Sequence, residues 1–246
     1  MLLESQHQSV ELAPLSIAAE PSRVVPLPAE PVELPRPRLG AAQINRRVRL
    51  ANWLFSGLCL MPFVALIARF LTDTLGPNPV ETITVVTGSW ALKLLWLTLL
   101  VTPLRKVTGW QWLPRLRRVP ALFSFFYASL HLSTYLLFDH EFNVITVIQD
   151  VLFRPYIAVG LACFVMMVPL AITSTDAMMR RLGGRRWKNL HRLTYLAAIA
   201  AATHYLLLVK RDINAPGTYI IVLALLLYAR VGIKTWRLPE WFRRLG

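Results

Sequence analysis

The sequence predicts an all-α integral membrane protein: a bundle of six transmembrane helices with its N-terminus and C-terminus in the cytoplasm. Three observations predict it. Of 246 residues, 55% are hydrophobic and only 16% are charged, where soluble domains sit nearer half and a quarter. Six apolar runs approach the ~20 residues that a spanning helix needs. The basic residues, finally, fall almost entirely on alternate connections between those runs.

Residues 1–45 are a different material from the rest. They hold seven of the chain's 17 prolines, with five acidic residues against three basic ones. Proline at that density removes helix donors and favours extended conformers, so a disordered, Pro-rich cytoplasmic tail is expected ahead of a membrane domain over residues 46–246. No short apolar core follows a basic start, so no cleavable signal peptide is expected.

The apolar runs cover residues 50–71, 83–102, 119–138, 156–173, 193–209 and 219–233. The fifth and sixth are short and need their flanks, or a thinner bilayer, to cross. Residues 144–153 are too short to span and read as an interfacial segment. Bases before the first run, between runs two and three, between four and five, and after the sixth number 18; Arg69, Arg154, Lys210 and Arg211 are the four on the other side. The basic-rich side is cytoplasmic by the positive-inside rule. The net charge of +14 is therefore topology, with the lipid bilayer as partner and no nucleic acid. Cys59 and Cys163 lie inside apolar runs and read as small buried hydrophobes, and Trp residues near run ends read as interfacial anchors.

The apolar runs contain no Asp or Glu, which counts against proton-coupled transport. They do contain His131 in the third helix and His204 in the fifth, and an intramembrane histidine is costly unless paired or ligated. Measured from the cytoplasmic ends, His131 lies roughly 18 Å deep and His204 roughly 20 Å at the helical rise. Two neutral imidazoles at one level can take both axial positions of a haem iron. His191, at the cytoplasmic mouth of the fifth helix, cannot share that iron. It is placed to ligate a second cofactor, to contact a quinone, or to stand in solvent. Lys93, halfway along the second helix, and Arg230, near the inner end of the sixth, could pair with haem propionates or a quinone oxygen. Snorkelling also accounts for Arg230. Ala197, Ala200 and Ala201 near His204 suit a flat macrocycle or close helix packing. Phe123, Tyr127 and Tyr135 near His131 suit a ring wall or ordinary core. His140 in the outer loop and His7 in the tail read as solvated.

Eight stretches carry a resemblance: Gly76-Pro-Asn-Pro-Val-Glu81, Thr87-Gly-Ser-Trp-Ala-Leu-Lys93, Val101-Thr-Pro-Leu-Arg105, Leu130-His-Leu-Ser-Thr-Tyr135, Arg154-Pro-Tyr-Ile157, Thr173-Ser-Thr175, Leu190-His-Arg-Leu-Thr-Tyr195 and Thr203-His-Tyr205. In order and spacing, over about residues 46–236, the chain resembles the MsrQ family, within the ferric-reductase-like transmembrane superfamily shared with NADPH oxidases. The resemblance implies an electron-transfer subunit of the bacterial inner membrane. It would bind haem b, draw electrons from the quinone pool, and pass them to MsrP, a periplasmic molybdenum enzyme that reduces methionine sulfoxide in oxidised proteins. The family's ligand histidines fall on His131, His191 and His204. Val85 stands where the family often has a histidine. FMN, reported for some relatives, is implied by resemblance alone. The chain is expected to lack the flavin and nicotinamide module of NADPH oxidases, so it needs a separate donor and acceptor.

Two rivals follow from the same residues. One keeps the haem but delivers electrons to ferric iron or oxygen. The other is a scaffold or transporter whose histidines only hold helices together.

Overall fold

The structure, a computed structural model, describes residues 41–209 and 214–232. The Pro-rich tail up to residue 40 lies outside the described residues. So do Lys210, Arg211 and the C-terminal bases from Lys234 onward. The described residues contain helices and turns and no strand.

Helix α1 (Ala41–Leu71) starts ahead of Arg46 and carries Pro62 inside it. Helix α2 (Pro79–Thr108) is bounded by strong local signals. Asn78 caps its N-terminus, the side-chain oxygen accepting from the Glu81 N–H at 3.2 Å while the amide donates to the Glu81 carboxylate at 3.0 Å. Pro79 takes the first helical position, where a missing N–H costs nothing. Gly109 closes the helix in the left-handed region at φ 77°, donating to the Arg105 carbonyl. Helix α3 (Arg118–Thr134) widens into one π-turn, Tyr135–Asp139. Then come α4 (Val144–Phe153), α5 (Pro155–Ile172), the short α6 (Asp176–Leu182) and α7 (Gly184–Leu190), α8 (Leu193–Leu208) and α9 (Asn214–Gly232).

Among the described residues, four helical stretches are long and apolar enough to cross a membrane: Val48–Leu71, Pro79–Thr108, Leu113–Asp139 and Pro155–Ile172. Helix α8, with 16 residues, and the apolar part of α9, Asn214–Arg230, occupy the fifth and sixth runs but are shorter. Helix α4 has 10 residues, too few to span. Large side chains such as Trp53, Met61, Phe70, Val165, Leu196 and Leu225 point outward. A lipid-facing surface needs that apolar exterior.

Helix α2 holds the centre. Its Leu92, Leu95, Trp96 and Leu99 pack on Ala198 and Ala202 of α8 and Leu223 of α9. Its Leu94 joins Cys59 of α1 and Tyr127 of α3. Cys163 and Met167 of α5 meet Ala197 of α8, and the Cys163 thiol donates to the Ala197 carbonyl at 3.2 Å. Both cysteines are free and buried. Ala197 and Ala198 of α8 are fully buried, so the helix packs closely there, whereas Ala200 and Ala201 are half-buried. Tyr127 is also fully buried; its hydroxyl donates to the Cys59 carbonyl at 2.9 Å and accepts the Phe63 N–H at 3.0 Å, bracing α1 beside Pro62. It is core.

Candidate functional site

Helices α3 and α8 bring His131 and His204 together, with ring centres 6.2 Å apart and planes at 78°. Each imidazole is held the same way. Nδ1 of His131 lies 2.9 Å from the Thr84 carbonyl of α2. Nδ1 of His204 lies 2.6 Å from the Tyr156 carbonyl of α5. A carbonyl only accepts, so each Nδ1 carries the hydrogen and each Nε2 keeps its lone pair.

The approach depends on two glycines. Thr84 stands one turn before Gly88, and Tyr156 one turn before Gly160. A Cβ on Gly88 would lie 3.0 Å from Nδ1 and Cε1 of His131, and one on Gly160 would lie 2.7 Å from Nδ1 of His204. Each glycine therefore opens the helix surface where a histidine ring must reach the backbone. The sequence assigns no role to Thr84, Gly88, Tyr156 or Gly160, although Gly88 and Tyr156 fall within the stretches that carry the resemblance. The available signal was a glycine four residues after the residue whose carbonyl accepts, in two apolar helices.

The pair fits a metal held mainly by a macrocycle. With their centres 6.2 Å apart, the two rings could hold one metal ion between them, through the nitrogens not committed to a carbonyl. Among the described residues there is no cluster of three or more His, Cys, Asp or Glu that could hold a bare ion. Haem would need only two protein nitrogens, which His131 and His204 would supply, and metal-binding histidines characteristically donate their other N–H to a carbonyl or carboxylate oxygen.

His191 stands apart, at the end of α7. Its ring stacks on Trp187 with centres 3.9 Å apart, and Nε2 lies 3.1 Å from the Thr173 hydroxyl. That hydroxyl donates to the Pro169 carbonyl, so it accepts from His191 and fixes the hydrogen on Nε2. Partial burial, and then the nearby Arg117 charge, push the His191 pKa below its ordinary value. The residue is half-buried and engaged.

The two candidate cations also stand away from the pair. Lys93 is exposed, its ammonium 5.0 Å from the centre of the Trp90 ring. Arg230 lies over the Tyr195 ring at 4.8 Å and donates through Nη2 to the Thr102 hydroxyl at 2.8 Å. Lys106 donates to its backbone carbonyl. Among the described residues, the Arg230 Nη1 is buried without a partner.

His140 corrects its expectation. Its side chain is 11% exposed, with Nε2 3.0 Å from the Asp150 carboxylate. The reason is α4, whose polar face turns Thr146 and Asp150 toward the loop. Tyr135 joins the same carboxylate.

The fold and the histidine pair define a ferric-reductase-like transmembrane protein: the family model "Ferric reductase like transmembrane component" matches residues 87–202. The chain is a multi-pass membrane protein. Three relatives narrow the class, each named "Protein-methionine-sulfoxide reductase heme-binding subunit MsrQ". The protein of Herminiimonas arsenicoxydans is 49% identical over 70% of this chain and 80% of its own length. That of Ralstonia nicotianae is 46% identical over 78% and 86%. That of Rhodospirillum rubrum is 43% identical over 78% and 92%. The chain belongs to the MsrQ family.

Proposed function

We propose that the protein is a haem b electron-transfer subunit of the bacterial inner membrane, carrying electrons from the quinone pool to a periplasmic MsrP-type molybdoenzyme that repairs methionine sulfoxide. The observation that carries the reading is the matched pair His131 and His204, each with Nδ1 committed to a carbonyl and Nε2 free for a metal. The reading takes six crossings with both termini cytoplasmic, which sets His191 and Arg230 at the inner face and the His131–His204 pair nearer the outer one.

Bound haem would supply a one-electron carrier inside the bilayer. The chain's own residues then do three things. The Thr84 and Tyr156 carbonyls fix the tautomer and aim of the ligand rings and raise their basicity. Gly88 and Gly160 keep the helices near enough for that aim. The apolar core around α2 and α8 excludes water, which would otherwise screen the site. At the inner face we assign His191 and the unpartnered Arg230 Nη1 to contact with the incoming electron carrier, a quinone oxygen or an anionic cofactor group such as a haem propionate.

The test is an absorption spectrum of detergent-purified protein, oxidised and then dithionite-reduced, with haem quantified per chain. A Soret peak with sharp reduced α and β bands supports the reading. A folded, colourless protein made with adequate haem supply would return the histidines to a structural role. Electron delivery to purified MsrP, against ferric iron or oxygen, then separates the acceptors.

A further inference from the structure

The outer ends of the two histidine arms meet at one carboxylate. Asp150 of α4 is 15% exposed in its side chain. Its Oδ2 accepts from Nε2 of His140 at 3.0 Å and from the Tyr135 hydroxyl at 3.3 Å. Its Oδ1 pairs with Nε of Arg154 at 3.2 Å. The Tyr135 and His140 rings pack with centres 4.6 Å apart, and the second His140 nitrogen lies 2.9 Å from the Thr146 hydroxyl.

Those partners lie next to the supports of the histidine pair. Tyr135 follows His131 by one helical turn, at the point where α3 widens into its π-turn. Arg154 caps the start of α5, and its guanidinium reaches the Tyr156 hydroxyl at 3.5 Å. The Tyr156 carbonyl is the group that holds His204. One carboxylate thus ties the end of the His131 helix to the beginning of the helix that aims His204.

Attaching α4 to the membrane does not require this. Val144, Ile145, Ile148, Leu152 and Phe153 are all exposed, and an apolar face of that kind holds an interfacial helix on lipid. A carboxylate turned to the opposite side and gripped from three directions fixes orientation instead. Bonds to a carboxylate of low exposure are the strong, geometrically selective kind.

We propose that Asp150 is a positioning residue for the His131–His204 pair, acting through Tyr135 on one side and through Arg154 and Tyr156 on the other. The proposal rests on the haem reading. Asp150 sets the angle and separation at which the two rings face one another, and through them the ligand field and reduction equilibrium of the bound iron.

The test uses full-length, haem-loaded protein and the variants Tyr135→Phe, Asp150→Asn and Asp150→Glu. Tyr135→Phe cuts the tether and leaves the formal charge of Asp150 in place, so it separates loss of the contact from loss of the charge. Haem per chain, the low-spin electron paramagnetic resonance anisotropy and the reduction equilibrium are measured together. The expected result is retained haem, an altered anisotropy, and an equilibrium shifted about three- to tenfold in Tyr135→Phe and Asp150→Asn, tenfold being about 59 mV for one electron. Asp150→Glu should recover part of the shift. Haem-loaded variants with wild-type anisotropy and equilibrium would overturn this proposal alone, and Tyr135→Phe decides if Asp150→Asn does not fold. A folded wild type without haem would overturn the haem reading, and this proposal with it.

Discussion

Gly160 lies so close to His204 that a methyl group on it would stand 2.7 Å from Nδ1. The contact explains why the ring reaches the Tyr156 carbonyl at 2.6 Å. It also orders two substitutions. Gly160→Ala must displace the imidazole and break that bond, whereas Gly88→Ala, with its nearest contact at 3.0 Å, asks the His131 ring to give only slightly. Loss of an outer support of a metal ligand typically costs about 10–100-fold in affinity. Haem affinity, titrated in apo-protein, should fall by about that range in Gly160→Ala and less in Gly88→Ala. Equal, unchanged affinities in both variants would show that the glycines are there for helix packing alone.

The histidines were legible because a polar ring inside an apolar run is conspicuous, and because helical rise turns sequence position into depth. Their supports were not legible. A backbone carbonyl leaves no signature in the sequence, and the value of Gly88 and Gly160 exists only once α3 and α8 lie against α2 and α5. His140 was misread for a related reason. Its loop, Asp139-His140-Glu141, looks solvated, and the carboxylate that covers it arrives from α4. The spacing of Thr146 and Asp150, four residues apart on one helical face, was the signal that α4 has a polar side to place. The helix ends, by contrast, were within reach of local chemistry, as Asn78, Pro79 and Gly109 show for α2. The start of α1 at Ala41, ahead of the expected boundary, reflects a helix continuing past its apolar run.

Single replacements of the histidines should separate roles. His131→Ala and His204→Ala each remove one axial nitrogen and are expected to lose the low-spin spectrum, with haem content down several-fold. His191→Ala should keep the Soret band of the His131–His204 pair, because its ring stacks on Trp187 and bonds to Thr173. Any defect there should appear instead in the rate of reduction from a quinol. Full retention of haem in both His131→Ala and His204→Ala would remove the assignment.

Tyr127 gives a test of the scaffold without touching the site. Its hydroxyl satisfies two backbone groups of α1, the Cys59 carbonyl and the Phe63 N–H. Pro62 leaves α1 short of one donor in the same turn. Tyr127→Phe keeps the ring contacts with Phe126 and Trp90 but leaves both groups to find one another. The cost should be about 1–3 kcal/mol, read as a lower melting temperature in detergent, with the spectrum of the folded fraction unchanged. A wild-type melting temperature would mean that α1 closes this rung unaided.

His191 predicts the direction of a pH effect. Burial, followed by the neighbouring Arg117 charge, lowers its folded-state pKa, so over the interval between the folded and the ordinary value of about 6.5 the unfolded chain binds the extra proton. Stability therefore rises with pH across that interval. The neutral ring's contribution is fully present above the ordinary histidine value and is lost as the pH falls below it. His191→Gln keeps an N–H donor for Thr173 and removes the titration. The melting temperatures of wild type and His191→Gln, compared from about pH 8 down to pH 5, should differ by a constant amount above the ordinary histidine value. Below it the wild type should fall more steeply. Parallel curves through the whole range would show that His191 keeps its ordinary titration in the folded protein, and that neither burial nor Arg117 disfavours its charge.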